Sequence, residues 1–212
     1  MKVIRLASYL LILLWAASSM LCAQHNTQSE ARAKSFTSPD GTFRFKYPTS
    51  LVWCRRDLHQ PDRWTPSESC EAYTPVCSDL SSRSTGTLAC VAYVADKMRD
   101  TNFEASAFTV NELKQATTEA ECLRVEEPPP HLEKARKETV NGVSFAVLET
   151  GGVMTGHMMD GYVYRNFHRG KCYELDIRIA SQTLDPGAMK TFDSNAVHHR
   201  LKQVLDTFEF VH

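Results

Sequence analysis

The stretch that decides the fold runs from His157 to Ala180: HMMDGYVYRNFHRGKCYELDIRIA. Its second half alternates. Tyr173, Leu175, Ile177 and Ile179 fall on one side, and Glu174, Asp176 and Arg178 on the other. A period of two is that of a β-strand with one face in the core and one in water. The first half places Tyr162 and Tyr164 on one side and Val163, Arg165 and Phe167 on the other. A two-residue turn at Arg169-Gly170 sets Tyr164 opposite Leu175, Tyr162 opposite Ile177 and Arg165 opposite Glu174, apolar against apolar and plus against minus. Arg-Gly is a weaker turn pair than Asn-Gly, so a bulged three-residue loop is the alternative. The stretch reads as a long β-hairpin at the centre of a sheet.

Hairpin signals recur upstream. Asn141-Gly142 separates extended runs from Lys134 to Val140 and from Val143 to Thr150. Gly151-Gly152 reads as the end of that hairpin. Near the start, Ser38-Pro39-Asp40-Gly41 is a turn, because Pro fixes φ, Asp bonds its own backbone and Gly takes the left-handed position. Phe43, Phe45 and Tyr47 then alternate with Arg44 and Lys46 as a strand ended by Pro48. Thr87 to Ala95 is almost wholly apolar, as in a strand buried on both faces. Phe103, Ala107, Val110, Leu113 and Thr117 recur at three or four, which predicts a helix capped by Thr101 or Asn102 and fading by Cys122. Pro128-Pro129-Pro130 is a stiff spacer, and Asp185-Pro186-Gly187 starts a turn. Phe192, Val197, Leu201, Val204, Leu205 and Phe208 predict an amphipathic helix, followed by a short strand over Phe208 to Val211.

The chain has 212 residues, 42% apolar and 23% charged, with a formal net charge of −1. That is the composition of a soluble globular protein, with no basic face for nucleic acid and no acidic tail. Lys2 and Arg5, the apolar run Leu6 to Ala17, and the small residues up to Ala23 read as a secretory signal peptide cut after Ala23. Lipidation at Cys22 is disfavoured by Met20-Leu21 before it. The expected organisation is a signal peptide over 1–23, a flexible lead-in over 24–34 and one domain over 35–212. Cleavage leaves six cysteines: Cys54, Cys70, Cys77, Cys90, Cys122 and Cys172. An even number in an exported chain reads as disulfides, with 15 pairings open to six cysteines. Cys70–Cys77 is the nearest pair and a local staple is expected there. The absence of C-x-x-C argues against a zinc ribbon or a thioredoxin-like site. The excursion from Leu51 to Gly86 holds Cys54, Cys70 and Cys77 among Pro61, Pro66 and Pro75, and reads as a long disulfide-stapled loop.

No G-x-S-x-G, H-E-x-x-H, phosphate-binding loop or dinucleotide loop occurs, so no catalytic residue is assigned. A metal site would need two of His157, His168, His198 and His199 with an acid such as Asp160. No ligand spacing supports it, and neither a metal nor another cofactor is expected. Phe43, Phe45, Tyr47, Tyr162, Tyr164 and Tyr173 read as core rather than pocket. Met154, Met158 and Met159 beside Gly151, Gly152 and Gly156 are an ordinary loop or an adaptable binding rim.

The run SPDGTFRFKYP (Ser38–Pro48), a later helix, NGVSF (Asn141–Phe145), the long aromatic hairpin and a terminal helix ending TFEF (Thr207–Phe210) resemble the PsbP-like family. The resemblance implies an α+β fold, an α/β/α sandwich around an antiparallel sheet, and a non-catalytic role in binding or assembly. The excursion departs from the family's pattern, so no functional residue is carried over. The expected protein is a secreted or periplasmic binding or assembly module for a protein or small ligand, with no nucleic-acid partner and no membrane span after cleavage. Its expected contact surface is the excursion over 51–86. The alternative is a secreted hydrolase with its site in the loop-rich part, built on groups such as His157, Asp160 and Glu149.

Overall fold

The computed structural model describes residues 33–56, 64–66, 77, 86–93, 98, 100–124, 135–154, 156–183 and 189–211. The expected signal peptide, the expected lead-in up to residue 32, the triple proline and the turn expected at Asp185-Pro186-Gly187 lie outside them, as does most of the excursion. The described residues form two β-sheets and two helices. One sheet has eight strands: β3 (Leu51–Arg56), β4 (Trp64–Pro66), β5 (Thr87–Tyr93), β6 (Phe103–Glu112), β7 (Arg136–Val140), β8 (Val143–Met154), β9 (His157–His168) and β10 (Lys171–Gln182). Their spatial order is β4-β3-β5-β6-β10-β9-β8-β7, and every neighbouring pair is antiparallel. The other sheet joins β1 (Ala33–Thr37), β2 (Phe43–Pro48) and β11 (Glu209–Phe210). The helices are α1 (Glu119–Cys122), one turn long, and α2 (Ser194–Leu205).

The hairpin takes the two-residue-turn register. Tyr164 faces Leu175, Tyr162 faces Ile177 and Arg165 faces Glu174. Arg169 and Gly170 both have positive φ, 50° and 77°, as do Asn141 (47°) and Gly142 (80°). These are the two-residue turns that match the twist of paired strands. Asn141 also donates from Nδ2 to the carbonyls of Asp206 and Phe208, at 2.8 and 2.9 Å, tying that turn to the end of α2.

Tyr173, Leu175 and Ile177 form a buried face with Phe108, Val110, Val147 and Tyr164. The small sheet covers it with Phe43, Phe45 and Phe210, and α2 with Val197, Leu201, Val204 and Leu205. Ring contacts at 5–6 Å join the layers, including Phe45–Phe108 (5.3 Å) and Tyr173–Phe210 (5.1 Å). Asp193 caps α2 by accepting from the Ala196 amide at 3.0 Å. The aromatic candidates Phe43, Phe45, Tyr47, Tyr164 and Tyr173 are therefore core.

Five expectations need correction. First, the fold is a predominantly antiparallel β-structure rather than an α+β, PsbP-like α/β/α sandwich. Second, the helix expected from Phe103 is strand β6, between β5 and β10. Burial of Ala105, Phe108 and Thr109 as well as Ala107 and Val110 shows why: with both faces covered, no two-residue period survives, and chance matches at three and four remain. Third, Gly151 and Gly152 do not end a hairpin; they lie inside β8, opposite Asp160 and Met159 of β9. Fourth, the excursion contributes β3 and β4 to the sheet, and the lead-in contributes Ala33 and Lys34 to β1. Fifth, the second face of β10 is not solvated: Glu174, Asp176 and Arg178 are 1%, 0% and 7% exposed.

Candidate functional site

Burying three charges on one strand face requires partners. Arg165 donates from Nε to Glu174 Oε2 at 2.7 Å and from Nη1 to the Arg124 carbonyl at 3.1 Å. Arg178 pairs with Asp176 along the same strand. Asn111 donates from Nδ2 to Asp176 Oδ2 and to Thr109 Oγ1, both at 3.1 Å. This polar layer spans β6, β10 and β9. Its charges are turned toward one another, as befits a structural ladder rather than a reactive centre. Gly161, opposite Arg178, admits no side chain: a Cβ there would sit 1.9 Å from the Ile177 carbonyl oxygen.

The same face carries the disulfides. Cys122 of α1 is bonded to Cys172 of β10, and Cys77 to Cys90 of β5. Cys54 of β3 is also disulfide-bonded, to a cysteine outside the described residues. The Cys70–Cys77 staple is thus overturned. Sequence proximity favoured it, but the fold brings the Cα atoms of Cys77 and Cys90 to 5.7 Å, within bridging range. By loop-closure entropy the 50-residue Cys122–Cys172 loop contributes about 4 kcal/mol and the 13-residue Cys77–Cys90 loop about 3 kcal/mol.

The histidines do not converge. His157 Nδ1 lies 2.7 Å from Glu104 Oε1. His168 stacks on Phe210, with centroids 4.0 Å apart. His198 meets the edge of Tyr162 at 5.0 Å, and burial, then the nearby Lys202 charge, lowers its pKa. His199 is exposed. Among the described residues, the one trio at metal-ligand spacing is Cys54, Cys77 and Cys90, whose sulfurs are committed to disulfides. Asp160 does not join His157. Its pKa is raised, by burial first and then by the negative charge of Glu149.

A groove of about 340 Å³ crosses the small sheet, lined by Ser35, Thr37, Arg44, Lys46, Thr207 and Glu209. Arg44 is paired with Glu209, and the Thr207 hydroxyl donates to the Lys46 carbonyl at 2.9 Å. These groups close the sheet on itself and include no nucleophile held by a base.

The free end of the β8–β9 hairpin differs. Val153 and Met158 face each other across the strands and are 74% and 36% exposed, the former the most exposed large apolar side chain among the described residues. Gly156, at φ 78°, turns the chain beside them. On the same face of β9, Asp160 lies two residues from Met158, while Arg136 sits over the Tyr162 ring at 5.2 Å and the Glu104–His157 pair is on the other face of the sheet. Of the methionine rim read from sequence, Met158 belongs to this end and Met159 is half-buried on the opposite face, while the side chain of Met154 lies outside the described set. Val153 was missed; a β-branched residue between Gly152 and Met154 was the available signal.

No protein-family model matches the chain, and no curated protein is significantly similar to it. No helix among the described residues is long and apolar enough to cross a membrane.

Proposed function

We propose that the chain is an exported binding or assembly module without catalytic activity, and that it engages a protein partner through the free end of the β8–β9 hairpin. The observation that carries this is the exposed Val153–Met158 pair at the free end of the β8–β9 hairpin. An exposed apolar pair with Asp160 two residues from Met158 on the same strand face suits a partner offering an apolar side chain beside a Lys or Arg, the apolar contact giving affinity and the charge orientation. The disulfides support export, since they persist in oxidising compartments. Most of the excursion expected to be the contact surface lies outside the described residues, so the hairpin end takes its place in the proposal.

The test is site-specific photo-crosslinking in the medium or periplasm of the producing cell. A crosslinker at Val153 is expected to give a discrete adduct, and one at Lys137 on β7 none. Excess unlabelled protein should compete the adduct away, whereas a V153S/M158Q variant should not. Equal labelling at both positions sinks the proposal. So does hydrolytic turnover on a substrate panel that a single side-chain substitution abolishes.

A further inference from the structure

Asn141 and Gly142 form the two-residue turn between β7 and β8, and both are exposed. Asn141 is the one Asn in the sequence that Gly follows. That pair is labile in water. The Gly142 nitrogen can attack the side-chain carbonyl carbon of Asn141, because no β-carbon on the following residue shields it. A Cβ at Gly142 would meet nothing within 4 Å, so the turn is open to solvent there. The Asn141 amide also has a structural task. Its Nδ2 donates to the carbonyl oxygens of Asp206 and Phe208, at 2.8 and 2.9 Å. These carbonyls lie just past α2, where the last helical carbonyls have no partner inside the helix. The turn thus clasps the chain between α2 and β11 through one nitrogen. An amide suits this because its nitrogen carries two N–H donors, whereas an ionised carboxyl only accepts.

We propose that Asn141 is a site of spontaneous deamidation, and that the reaction releases the segment between α2 and β11 from the β7–β8 turn. The Gly142 nitrogen, its proton taken by solvent base, attacks Asn141 Cγ. A C–N bond forms, the Cγ–Nδ2 bond breaks, and Nδ2 leaves as ammonia. Water then opens the cyclic imide at either carbonyl, giving an aspartyl or an isoaspartyl residue at position 141. One water is consumed and one ammonia released, and nothing is oxidised or reduced. In the folded chain the two hydrogen bonds turn Nδ2 toward the end of α2, so the reaction proceeds from conformers in which both have opened. Afterwards the clasp cannot re-form. The new carboxylate brings acceptor oxygens to two carbonyl oxygens, at the end of the helix whose dipole repels negative charge. Lys202, the cation of the last helical turn, is already engaged by Asp206 and Glu138, at 2.6 and 2.8 Å. The isoaspartyl form also lengthens the backbone of a turn that has room for two residues only. The released segment carries Phe208, whose ring packs on Phe43 and Phe145, and runs directly into β11. Deamidation therefore makes the hold on the last strand of the small sheet dependent on the age of the molecule.

The test ages the intact, disulfide-bonded protein in warm, mildly alkaline buffer. Trypsin cleavage after Lys137 and Arg165 gives the peptide Glu138–Arg165, in which Asn141 is the only side-chain amide. The expected result is progressive conversion of that peptide to its acid form, resolved by chromatography into aspartyl and isoaspartyl species, and faster than conversion of Asn195, which Ala follows. Conversion no faster than at Asn195, or none while the reduced, urea-unfolded chain converts fully, overturns the proposal. Hydrogen exchange reads the release. The amides of Asp206, Thr207 and Phe208 bond to the carbonyls of Lys202, Val204 and Leu205. They should exchange on the order of tenfold faster in Asn141→Asp than in wild type, while the amides of Tyr164 and Leu175 keep their rates. Unchanged exchange over Asp206 to Phe208 also overturns the proposal. If Asn141→Asp does not fold, the same comparison is made on the acid form separated from aged wild-type protein by anion exchange.

Discussion

Replacing Arg165 by Met keeps an unbranched apolar stem and removes the guanidinium. Its Nε sits 2.7 Å from Glu174 Oε2, and the two side chains are 12% and 1% exposed. At that distance and an effective dielectric of 20 the attraction is about 6 kcal/mol, much of it offset by the desolvation of both ions. The larger consequence is the carboxylate left behind, which is buried without its cation and costs about 3–5 kcal/mol. Equilibrium urea unfolding at neutral pH with the disulfides intact should show that loss as a lower midpoint at unchanged m-value. For a chain of this size it corresponds to a fall in Tm of roughly 6–20 °C. Arg165→Met/Glu174→Met, which removes both charges, should recover most of the loss. A single variant within about 1 kcal/mol of wild type would mean that water reaches the carboxylate. A double variant as unstable as the single would mean that shape, not charge, holds the layer together.

Two further outcomes follow from particular contacts. Gly161→Ala drives a methyl into the Ile177 carbonyl, 1.9 Å away, where only backbone can yield; a loss of roughly 3 kcal/mol or more is expected in thermal melts, and a near-neutral variant would refute the close approach. Asp40 is held down to about pKa 2, chiefly by the Thr42 hydroxyl and then by that of Ser38. Its folded pKa lies below its unfolded one, so its contribution is present above about pH 4 and lost as pH falls toward 2. Asp40→Ala should therefore lower stability at neutral pH, by under about 1 kcal/mol because the side chain is largely exposed, and match wild type at pH 2. A deficit that persists unchanged at pH 2 would show that the carboxylate charge is not its source.

The parts of this protein legible from sequence are those whose causes are local. Asn141-Gly142 and Arg169-Gly170 specify two-residue turns, and with turn and alternation known, the Arg165–Glu174 register follows. The face of α2 is equally local, since Val197, Leu201, Val204 and Leu205 repeat at the helical period. Tertiary structure decided the rest because it depends on what covers each face. β6 carries no two-residue period because both of its sides are buried, and its sequence therefore reads as a helix. Glu174, Asp176 and Arg178 alternate as a solvated face would, yet their ionic partners allow them to lie inside. Cys77 bonds to Cys90 rather than to nearby Cys70 because pairing follows the distance between Cα atoms in the folded chain, which strand order sets and sequence separation does not. The exposure of Val153 likewise has no local cause: the same residue in the same strand would be core if another layer crossed the end of β8.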